Sequence, residues 1–592
     1  MSSNSANSSL IPLRHSAEHV LTQAMINLYG PDSFYMAMGP ATDEGFYFDF
    51  EPLNGLKISE ENFPALEAEM SKIIKSNLPI TRSEIDQNSA KSLFASNPYK
   101  MEWLNSIEGR GEVISIYKTG SAFVDLCAGP HVASTGDIKA FKLLSIAGAY
   151  WHGNEKNKML TRIYGTAFDS QANLDDYLNK LKLAAERDHR KLGRELGLFT
   201  FSELIGSGLP LYTPKGAFIR LAVNNYVESV QLAQGYTQVW TPQIAKAKLF
   251  QISGHYDKYK DSMFRVVSNY SEEEFFLKPM NCPQHTQIFA AEPHSYRDLP
   301  LRFTDFAMLY RDEKPGELNG LARVRAFSQD DCHIFCREDQ VDTEIDTALS
   351  MTKEIMATFG LEYKYRLSTR DPAHPEKYLG DPAVWDKVEA WAVKIMERNN
   401  IPYFDGPGEA AFYAPKMDLI ATDALGREWQ LSTVQIDYVM PERFGLEYTD
   451  STGKKARPVM LHRAIVGSPE RFLMILLEHF GGNFPLWLNP VQVSLIPITD
   501  AQHDFTLNLK KQLEEKGIRV NADLRAEKMQ GKIRDAQLQK VPYMLIIGGR
   551  EVENNQVSVR QRDGQDLGAM PVTTFIDTIG KQITSKSLSL IK

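Results

Sequence analysis

The pattern of apolar and polar residues divides the chain into blocks with different predicted elements. From residue 12 to about 168, short apolar runs alternate with helical repeats, which predicts a mixed α+β domain. The next stretch, NLDDYLNKLKLAAERDHRKLGREL, has apolar residues every three or four positions and predicts an amphipathic linker helix over 169–195. The polar residues 1–11 predict a disordered tail.

The last hundred residues predict a small α/β domain over 490–592. The runs VQVSLIPIT, IRVNADL, YMLIIGG and VSVRQRD have the composition of strands, and HDFTLNLKKQLEEKG and the segment 528–540 have the periodicity of helices. Strands that alternate with helices are typical of α/β units. Proline and glycine in FGGNFPLWLNP separate this domain from the long block 196–489.

The block 196–489 contains a predicted hairpin that is rich in arginine. The runs RFTDFAMLY and RVRAFSQDDCHIF flank a loop with proline and glycine, so Arg311, Arg323 and Arg325 fall on or near facing strands. Planar guanidinium groups bind phosphate or carboxylate through paired hydrogen bonds. Arginine is equally typical of a solvated edge strand, and the spacing alone leaves both interpretations open.

A second arginine lies at a predicted helix start. VMLHRAIVGSPERFLMILLEHFGG predicts a strand, a turn and a buried helix with Ser468 as its N-cap. Arg471 then falls in the first turn, where the helix dipole favours a bound anion. A single arginine at such a place is usually a surface residue.

Composition and charge narrow the class of protein. A chain of 592 residues with 43% hydrophobic content predicts about three or four domains. The net charge of −9 argues against a general polyanion binder. Residues 510–563 nevertheless carry 12 Lys and Arg against 8 Asp and Glu, so RNA remains a possible partner. We expect a cytoplasmic protein without a membrane span, because no apolar run is long enough and the start lacks a signal-peptide core.

Ordered motifs in this chain resemble those of a known enzyme family. The helix GAFIRLAVNNYVESVQLAQG with the strand YTQVWTPQI is similar to motif 1 of class II aminoacyl-tRNA synthetases, YRDE with RVRAF to motif 2, and GSPER to motif 3. In detail, LKPMNCPQHTQIF, QDDCHIF, AFYAPKMDL, EWQLSTVQ, RHSAEHVL and FVDLCAGPHV resemble the threonyl-tRNA synthetase family. The resemblance covers nearly all of the chain from about residue 12.

The resemblance implies an architecture and a reaction. It implies an editing domain at 12–168, a linker helix at 169–195, a class II catalytic domain at 196–489 with a six-stranded antiparallel sheet flanked by helices, and an anticodon-binding domain at 490–592. The implied reaction activates threonine with ATP and transfers it to tRNA(Thr). A homodimer built partly on motif 1 is also implied.

The same resemblance implies roles for the arginines and their neighbours. Arg311 would hold the α-phosphate of ATP and the amino-acid carboxylate, while Arg323 and Arg471 would hold the outer phosphates. Phe327 would stack on adenine and Glu313 would accept from its amino group. Mg²⁺ is expected on the phosphates. Further residues implied to contact threonine, ATP or both are Met280, Gln329, Asp331, Tyr413, Gln430 and Ser468.

One zinc ion per chain is implied at Cys282, His333 and His462. These residues are far apart in sequence, and no local spacing announces a metal site. Three protein ligands leave a position open, as in catalytic zinc sites. Threonine could fill it through its amino and hydroxyl groups, which valine cannot do. Alternation along the QDDCHIF strand would place Gln329 and Asp331 on the face of His333, with Asp330 and Cys332 pointing the other way.

Two pairs of residues in the first block predict a second site. His15 and His19 share a helix face, and Cys127 and His131 repeat the same spacing, which by itself is typical of a metal site. The resemblance implies instead an editing pocket, completed by Lys100 and Asp125, that hydrolyses seryl-tRNA(Thr). Such a second sieve is expected, because the methyl group that serine lacks contributes only about 1–3 kcal/mol to discrimination. We expect hydrolysis there without a metal.

The resemblance also has departures and competing interpretations. Gln284 stands where the family usually has glycine, so we expect a shifted backbone beside Cys282. In the last domain Ala526 replaces an asparagine. The residues there implied to read the anticodon are Arg534, Glu551 and Arg560.

Two other classes of protein are weighed. One is a prolyl or alanyl synthetase with an editing module, against which the zinc residues together with HSAEH argue. The other is a synthetase-like RNA-binding protein without catalysis, against which the presence of Arg311, Glu313 and Arg471 argues.

Overall fold

The computed structural model describes residues 2–423 and 426–591. The chain forms two compact units, Met1–Lys182 and Leu183–Lys592. The elements of the first unit, in chain order, are α1 (Ser2–Tyr29), β1 (Phe34–Met38), β2 (Phe46–Pro52), α2 (Phe63–Lys75), β3 (Ile80–Glu84), α3 (Gln87–Leu93), α4 (Pro98–Arg110), β4 (Ser115–Thr119), β5 (Phe123–Leu126), β6 (Ala140–Tyr150), β7 (Met159–Phe168) and α5 (Gln171–Glu186).

The first unit is built around α1 and two antiparallel sheets. One sheet has the order β1–β2–β7–β6 and the other the order β3–β4–β5. Apolar residues of α1 such as Ala17 and Val20 lie in one core with Phe48 and Phe50 of the larger sheet. This core fixes α1, and with it the histidines of RHSAEHVL.

Two predicted boundaries differ from the structure. The helix α1 begins at Ser2, where the polar composition predicted a disordered tail over 1–11. A helix held by its packed part can extend toward its N-terminus, since each added residue gains a hydrogen bond after nucleation. The linker over 169–195 is two helices rather than one: α5 is followed by α6 (His189–Glu195), which begins where the Asp188 side chain accepts from the N–H groups of Arg190 and Lys191.

The second unit starts with a large mixed domain. Its further elements are β8 (Phe199–Thr200), β9 (Leu211–Tyr212), α7 (Pro214–Ala233), β10 (Thr237–Gln238), β11 (Ile244–Lys246), α8 (Ala247–Ser253), α9 (His255–Tyr259), β12 (Arg265–Val266), β13 (Phe275–Leu277), α10 (Cys282–Ala290), β14 (His294–Ser295), β15 (Leu301–Tyr310), β16 (Ala326–Cys336), α11 (Val341–Phe359), β17 (Glu362–Thr369), α12 (Pro382–Arg398), β18 (Tyr403–Pro407), β19 (Lys416–Thr422), β20 (Glu428–Asp437), α13 (Val439–Arg443), β21 (Tyr448–Thr449), β22 (Lys455–Ala456), β23 (Val459–Ala464) and α14 (Pro469–His479).

The central sheet of this domain has the order β10–β15–β16–β23–β20–β19–β17–β18. Its six inner strands are antiparallel, which confirms the predicted six-stranded sheet. Two short parallel strands, β10 and β18, extend its edges and were not predicted. Cys332 and Ile334 of β16 lie in the core with the buried helices α7, α11 and α14, while the other face of the sheet carries a smaller core that contains Cys282 and Tyr413.

The last domain has the predicted α/β character. Its sheet has the order β25–β24–β26–β27–β28, in which β25, β24 and β26 are parallel and the last two strands antiparallel. No helix of the described chain is both long and apolar enough to cross a membrane. The elements of the domain are β24 (Val493–Pro497), α15 (His503–Glu515), β25 (Val520–Ala522), α16 (Met529–Leu538), β26 (Tyr543–Ile547), α17 (Gly549–Asn554), β27 (Gln556–Gln561), β28 (Asp566–Pro571) and α18 (Val572–Thr584).

Candidate functional site

The sheet brings the three predicted metal ligands together. Cys282 begins α10, His333 lies on β16, and His462 lies directly opposite His333 on the neighbouring strand β23. Their ligand atoms all lie within 4.8 Å of one another, and all three side chains are buried. His333 Nε2 is 3.0 Å from His462 Nδ1. We call these residues the metal trio.

Each histidine of the trio has a second polar neighbour, and for His462 that neighbour fixes the tautomer. His462 Nε2 lies 2.8 Å from the Asp437 carboxylate, so it carries the proton and leaves a lone pair on Nδ1. His333 Nδ1 lies 2.8 Å from His285 Nδ1. When His333 donates to His285, its Nε2 also carries a lone pair. Two lone pairs then face each other at 3.0 Å, and a shared cation removes their repulsion.

Burial favours the neutral forms of His333 and Cys282 in the absence of a cation. It lowers the pKa of His333 well below the usual value, an effect that His462 and His285 increase. It also raises the pKa of the Cys282 thiol well above its usual value, and the nearby Asp331 and Asp437 raise it further. Only a bound cation would stabilise the thiolate here. Two imidazoles and a thiolate are the donor set of many metal sites with an open position.

The pocket beside the trio contains the side chains expected around an amino acid. Asp331 lies 3.7 Å from His333 Nε2, and burial raises the pKa of Asp331 to about 7, with a further contribution from Asp305. The ring of Tyr413 stacks on His462 at 4.7 Å. The alternation predicted for β16 therefore places Asp331 and His333 on the same side of the strand.

Two pocket residues escaped the sequence reasoning. His255 is fully buried, 3.6 Å from Cys282 Sγ and 3.1 Å from the sulfur of Met280, and burial lowers its pKa to about 3. No spacing in GHYDKY marks it. Gln435 pairs with His462 across β20 and β23, and its buried Oε1 has no hydrogen-bond partner among residues 2–423 and 426–591. For Gln435, the available signal was a polar residue between valine and isoleucine in the run TVQI.

Three arginines form a positive cluster in the loop between β15 and β16 and at the start of α14. Arg471 is largely buried, and its pKa is lowered first by burial and then by the charges of Arg311 and Arg323. Arg471 Nε donates to the carbonyl of Ala322 at 3.1 Å. The Arg311 guanidinium lies 5.1 Å from the ring of Phe327. A cluster of like charges favours a bound anion.

Glu313 is engaged within the loop itself. Its carboxylate accepts from Arg323 at 2.8 Å, and Arg323 also pairs with Glu317 at 2.8 Å. The expected contact from Glu313 to a nucleobase therefore requires that Arg323 share or release this carboxylate. Arg325 donates to the carbonyl of Glu313 at 3.0 Å, which makes it a support of the loop rather than a member of the cluster.

Two buried acids join β16 to the start of α14. Asp330, on the reverse face of β16, accepts from the N–H of Ile465 at 2.7 Å and of Gly467 at 2.9 Å. Glu470 accepts from the N–H of Ser328 at 2.9 Å and from the Ser468 hydroxyl at 2.9 Å. Ser468 also caps α14, as predicted. These bonds set the position of Arg471 relative to the strand.

Gln430 has other neighbours than expected. It donates to Asp418 at 2.9 Å and accepts from Arg366 at 3.1 Å. Asp418 is fully buried and also accepts from Ser368 at 2.8 Å. Neither Arg366 nor Asp418 was singled out from the sequence, because a charged pair on adjacent strands has no fixed spacing along the chain.

The first unit brings its four predicted residues together. Cys127 Sγ lies 3.2 Å from His131 Nε2 and 3.4 Å from His15 Nε2, and the ligand atoms of all four lie within 4.8 Å. We call His15, His19, Cys127 and His131 the front cluster. Three of its members, His15, His19 and Cys127, line a cavity of about 360 Å³ together with Lys100 and Asp125.

The front cluster combines one buried ion pair with neutral side chains. Lys100 Nζ lies 2.7 Å from Asp125 Oδ1, and both side chains are buried. Burial lowers the pKa of His131 to about 3 and raises that of Cys127 to about 12, so both are neutral near pH 7. The Ser16 hydroxyl donates to the Pro12 carbonyl and lies 3.0 Å from His131 Nδ1. His131 Nδ1 therefore donates to Ser16, and its Nε2 can accept from the Cys127 thiol.

The anticodon candidates lie on three elements of the last domain: Arg534 on α16, Glu551 on α17 and Arg560 on β27. Glu551 accepts from the N–H of Gly548 at 2.9 Å, and Arg560 pairs with Asp566 at 3.2 Å. Both contacts are local.

Known families match all three parts of the chain. A model of the "tRNA synthetase class II core domain (G, H, P, S and T)" matches residues 264–480, and an "Anticodon binding domain" matches 492–582. A "Threonyl and Alanyl tRNA synthetase second additional domain" matches residues 114–164.

Individual relatives agree with these families. The threonine–tRNA ligase of Thermotoga neapolitana is 45% identical over 577 residues, which cover 98% of this chain and 89% of the relative. That of Rubrobacter xylanophilus is 46% identical over 580 residues, with the same coverage. Among solved structures, the RNA-binding domain of threonyl-tRNA synthetase from Cryptosporidium parvum Iowa II superposes with a TM-score of 0.64 at 35% identity, covering 68% of this chain and 99% of that one.

Proposed function

We propose roles for individual residues on the premise that this chain belongs to the threonine–tRNA ligase family of class II aminoacyl-tRNA synthetases. The reaction activates threonine with ATP and transfers it to tRNA, and the family match at 114–164 is consistent with editing. The observation that carries the residue assignments is the convergence of the metal trio, whose three ligand atoms lie within 4.8 Å of one another.

In the first step, the threonine carboxylate attacks the α-phosphorus of ATP and pyrophosphate leaves. We assign Arg311 to the α-phosphate and Arg323 and Arg471 to the departing phosphates. A fixed group of positive charges stabilises the negative charge that develops in this transition state. The charges of Arg311 and Arg323, which help to lower the pKa of Arg471, support the assignment because a bound anion would relieve this repulsion. Mg²⁺ would accompany ATP.

The metal trio would hold zinc. When bound, zinc offers an open position to the amino and hydroxyl groups of threonine, and valine lacks the hydroxyl. Asp331 is placed to accept from the same hydroxyl, and Tyr413 and Gln435 close the pocket around His462.

Amino-acid-dependent exchange of pyrophosphate into ATP tests the activation step. We expect exchange with threonine, weaker exchange with serine, and none above background with valine. A protein that shows no exchange with threonine would instead be the RNA-binding alternative without catalysis. His333→Ala should lose exchange, and the exposed Asp405→Asn on β18 serves as its matched control.

The front cluster fits either a cation or a hydrolytic pocket without one. We propose the second, because the Cys127 thiol already has an acceptor in His131 Nε2 and Lys100 is fixed by Asp125 for a substrate or water contact. Zinc analysis separates the two. One zinc per chain that disappears in His333→Ala and persists in Cys127→Ser supports the proposal, whereas two per chain contradict it.

We also propose that this enzyme is a homodimer and that it is located in the cytoplasm. Exposed apolar residues near motif 1 support the dimer: Trp240 is 84% exposed and Leu221, on α7, is 53% exposed. Burial of these side chains against a second chain would remove their apolar surface from water. Sedimentation equilibrium of the purified chain should give twice the 66.9 kDa of one chain, and a mass of one chain would refute the dimer.

A further inference from the structure

The second linker helix carries a buried histidine that no step above uses. His189 is the first residue of α6 and is only 3% exposed, although the surrounding sequence RDHRKLGRE is strongly charged. A buried imidazole needs a partner for each of its ring nitrogens. Both partners are present, and they belong to parts of the catalytic domain that are distant in sequence.

The two partners define the tautomer of His189. Nε2 lies 3.0 Å from the backbone nitrogen of Leu321. A backbone N–H can only donate, so Nε2 accepts and the proton resides on Nδ1. Nδ1 then donates to Glu478 Oε1 at 2.8 Å, and the same oxygen accepts from the backbone N–H of His189 at 3.0 Å.

The carboxylate at one end of this chain of hydrogen bonds is immobile. Glu478 lies in the last turn of α14 and is 2% exposed, and its second oxygen accepts from Arg427. Two bonds to His189 and one to Arg427 hold both oxygens in place. His189 is therefore fixed to the same helix that begins with Arg471.

The other end is the loop between β15 and β16, residues 311–325, which we call the motif 2 loop. Gly320 has φ +48°, and a Cβ there would lie 2.0 Å from His189 Nε2, so the backbone approaches the imidazole as closely as glycine permits. Leu321 is buried, and the next carbonyl, of Ala322, accepts from Arg471 at 3.1 Å. The short segment 320–322 is thus held on both sides.

We propose that His189 is a positioning residue for the motif 2 loop. By accepting from the Leu321 N–H, it fixes the segment that immediately precedes Arg323 and so places the Arg323 guanidinium for the outer phosphates. The consequence for catalysis rests on the proposed function, but the anchoring itself does not. Sequence reasoning assigned this stretch only to a connecting helix.

Two substitutions test separately the hydrogen bonds that His189 makes to Glu478 and to Leu321. His189→Asn keeps a donor at the Nδ1 position for Glu478 and loses the acceptor for Leu321, whereas His189→Gln keeps an acceptor at the Nε2 position. We expect His189→Asn to lower kcat/KM for ATP in pyrophosphate exchange on the order of 10- to 100-fold, with KM for threonine unchanged. His189→Gln should recover most of this loss, and the exposed Lys191→Ala should behave as wild type.

Hydrogen exchange at the Leu321 amide tests the anchor without reference to activity. The amide should exchange faster in His189→Asn and in Gly320→Ala, which displaces the loop from the other side, and at the wild-type rate in Lys191→Ala. Unchanged exchange at Leu321 in both variants would overturn the proposal. So would an equal rise of KM for ATP and threonine with a lower melting temperature, which indicates a structural role only. A wild-type enzyme without exchange activity would refute the proposed function and leave the amide result standing.

Discussion

At the scale of single residues, Asp437 determines which nitrogen of His462 faces the metal trio. Its Oδ1 accepts from the N–H groups of Val439 and Met440 at the start of α13, which leaves Oδ2 for His462 Nε2. The carboxylate cannot rotate without breaking these bonds, so the tautomer of His462 depends on the negative charge of Asp437.

We predict that Asp437→Asn weakens zinc binding about 10- to 100-fold. The amide NH₂ would face His462 Nε2, which must then accept, and the proton would move to the Nδ1 that should bind the metal. Competition with a chelator of known affinity measures the change. Asp405→Asn should retain wild-type affinity, and an unchanged affinity in Asp437→Asn would contradict the tautomer argument.

The front cluster yields a prediction of pH dependence. Burial lowers the pKa of His15 and His19, and that of His131 to about 3, so their protonation shifts to lower pH and we expect a neutral cluster between about pH 7 and 8. Single-turnover hydrolysis of seryl-tRNA, corrected for the spontaneous rate, should be level over this range. A fall with a midpoint near 6.5 would contradict the neutral state.

The lowered pKa values of these histidines also determine how the stability of the first unit changes with pH. Unfolded histidines take up protons near pH 6.5, while the folded ones do so only at lower pH, so the unfolded state binds more protons in between. The free energy of unfolding of the first unit should therefore be fully supported by these histidines above about pH 6.5 and should decrease as the pH falls below it.

Gln284 is a position where the family resemblance led us to expect an effect of the side chain on the backbone. Glycine is usual at this position in the family, and the larger side chain predicted a shifted backbone. The structure places Gln284 within α10, where helical φ and ψ suit any L residue, and its Nε2 donates to the Pro242 carbonyl at 3.0 Å. The position needs no positive φ, so a glutamine is accommodated there without backbone strain.

At the scale of elements, β16 was predicted well because period-two alternation is a local property. Its two faces follow the sequence, with Asp331 and His333 toward the pocket and Cys332 in the core. The pairing of β16 with β23 could not be predicted from the residues themselves, since 129 positions separate His333 from His462 and only the folded sheet closes that distance. The family resemblance supplied it. His255, His189 and Asp418 share this difficulty, because their partners lie on other elements.

We predict that Asp330→Asn destabilises the junction between β16 and α14. One amide hydrogen would face a backbone N–H of Ile465 or Gly467, and an unsatisfied buried donor costs about 1–3 kcal/mol. The urea midpoint for loss of exchange activity should fall. Cys332→Ser, a small change on the same face, is the comparison, and an equal midpoint in Asp330→Asn and wild type would refute this role.

At the scale of the whole molecule, discrimination is divided between two sites that differ in what they recognise. The catalytic pocket distinguishes threonine from valine through a hydroxyl, but serine retains that hydroxyl and lacks only a methyl group. Discrimination by a missing methyl is limited to about 10- to 200-fold. We propose that the front cluster supplies the remainder by hydrolysis, and its four residues all lie within the unit Met1–Lys182.

We predict that His131→Ala separates the two functions. Threonine-dependent pyrophosphate exchange should be unchanged, and seryl-tRNA(Thr) should accumulate when serine is supplied in excess. His333→Ala gives the opposite result, with loss of exchange and intact hydrolysis of preformed seryl-tRNA. Failure of seryl-tRNA to accumulate in His131→Ala would show that editing does not occur at this cluster.

The attachment of α14 at both of its ends has a consequence for how the enzyme tolerates change. Glu470 and Asp330 tie its first turn to β16, and Glu478 ties its last turn to the linker through His189. A helix held at two places moves as a rigid body, so a substitution that tilts its last turn would also move Arg471 in its first turn. Substitutions near the last turn of α14 should therefore lower the efficiency with which the enzyme uses ATP, even when the protein remains folded.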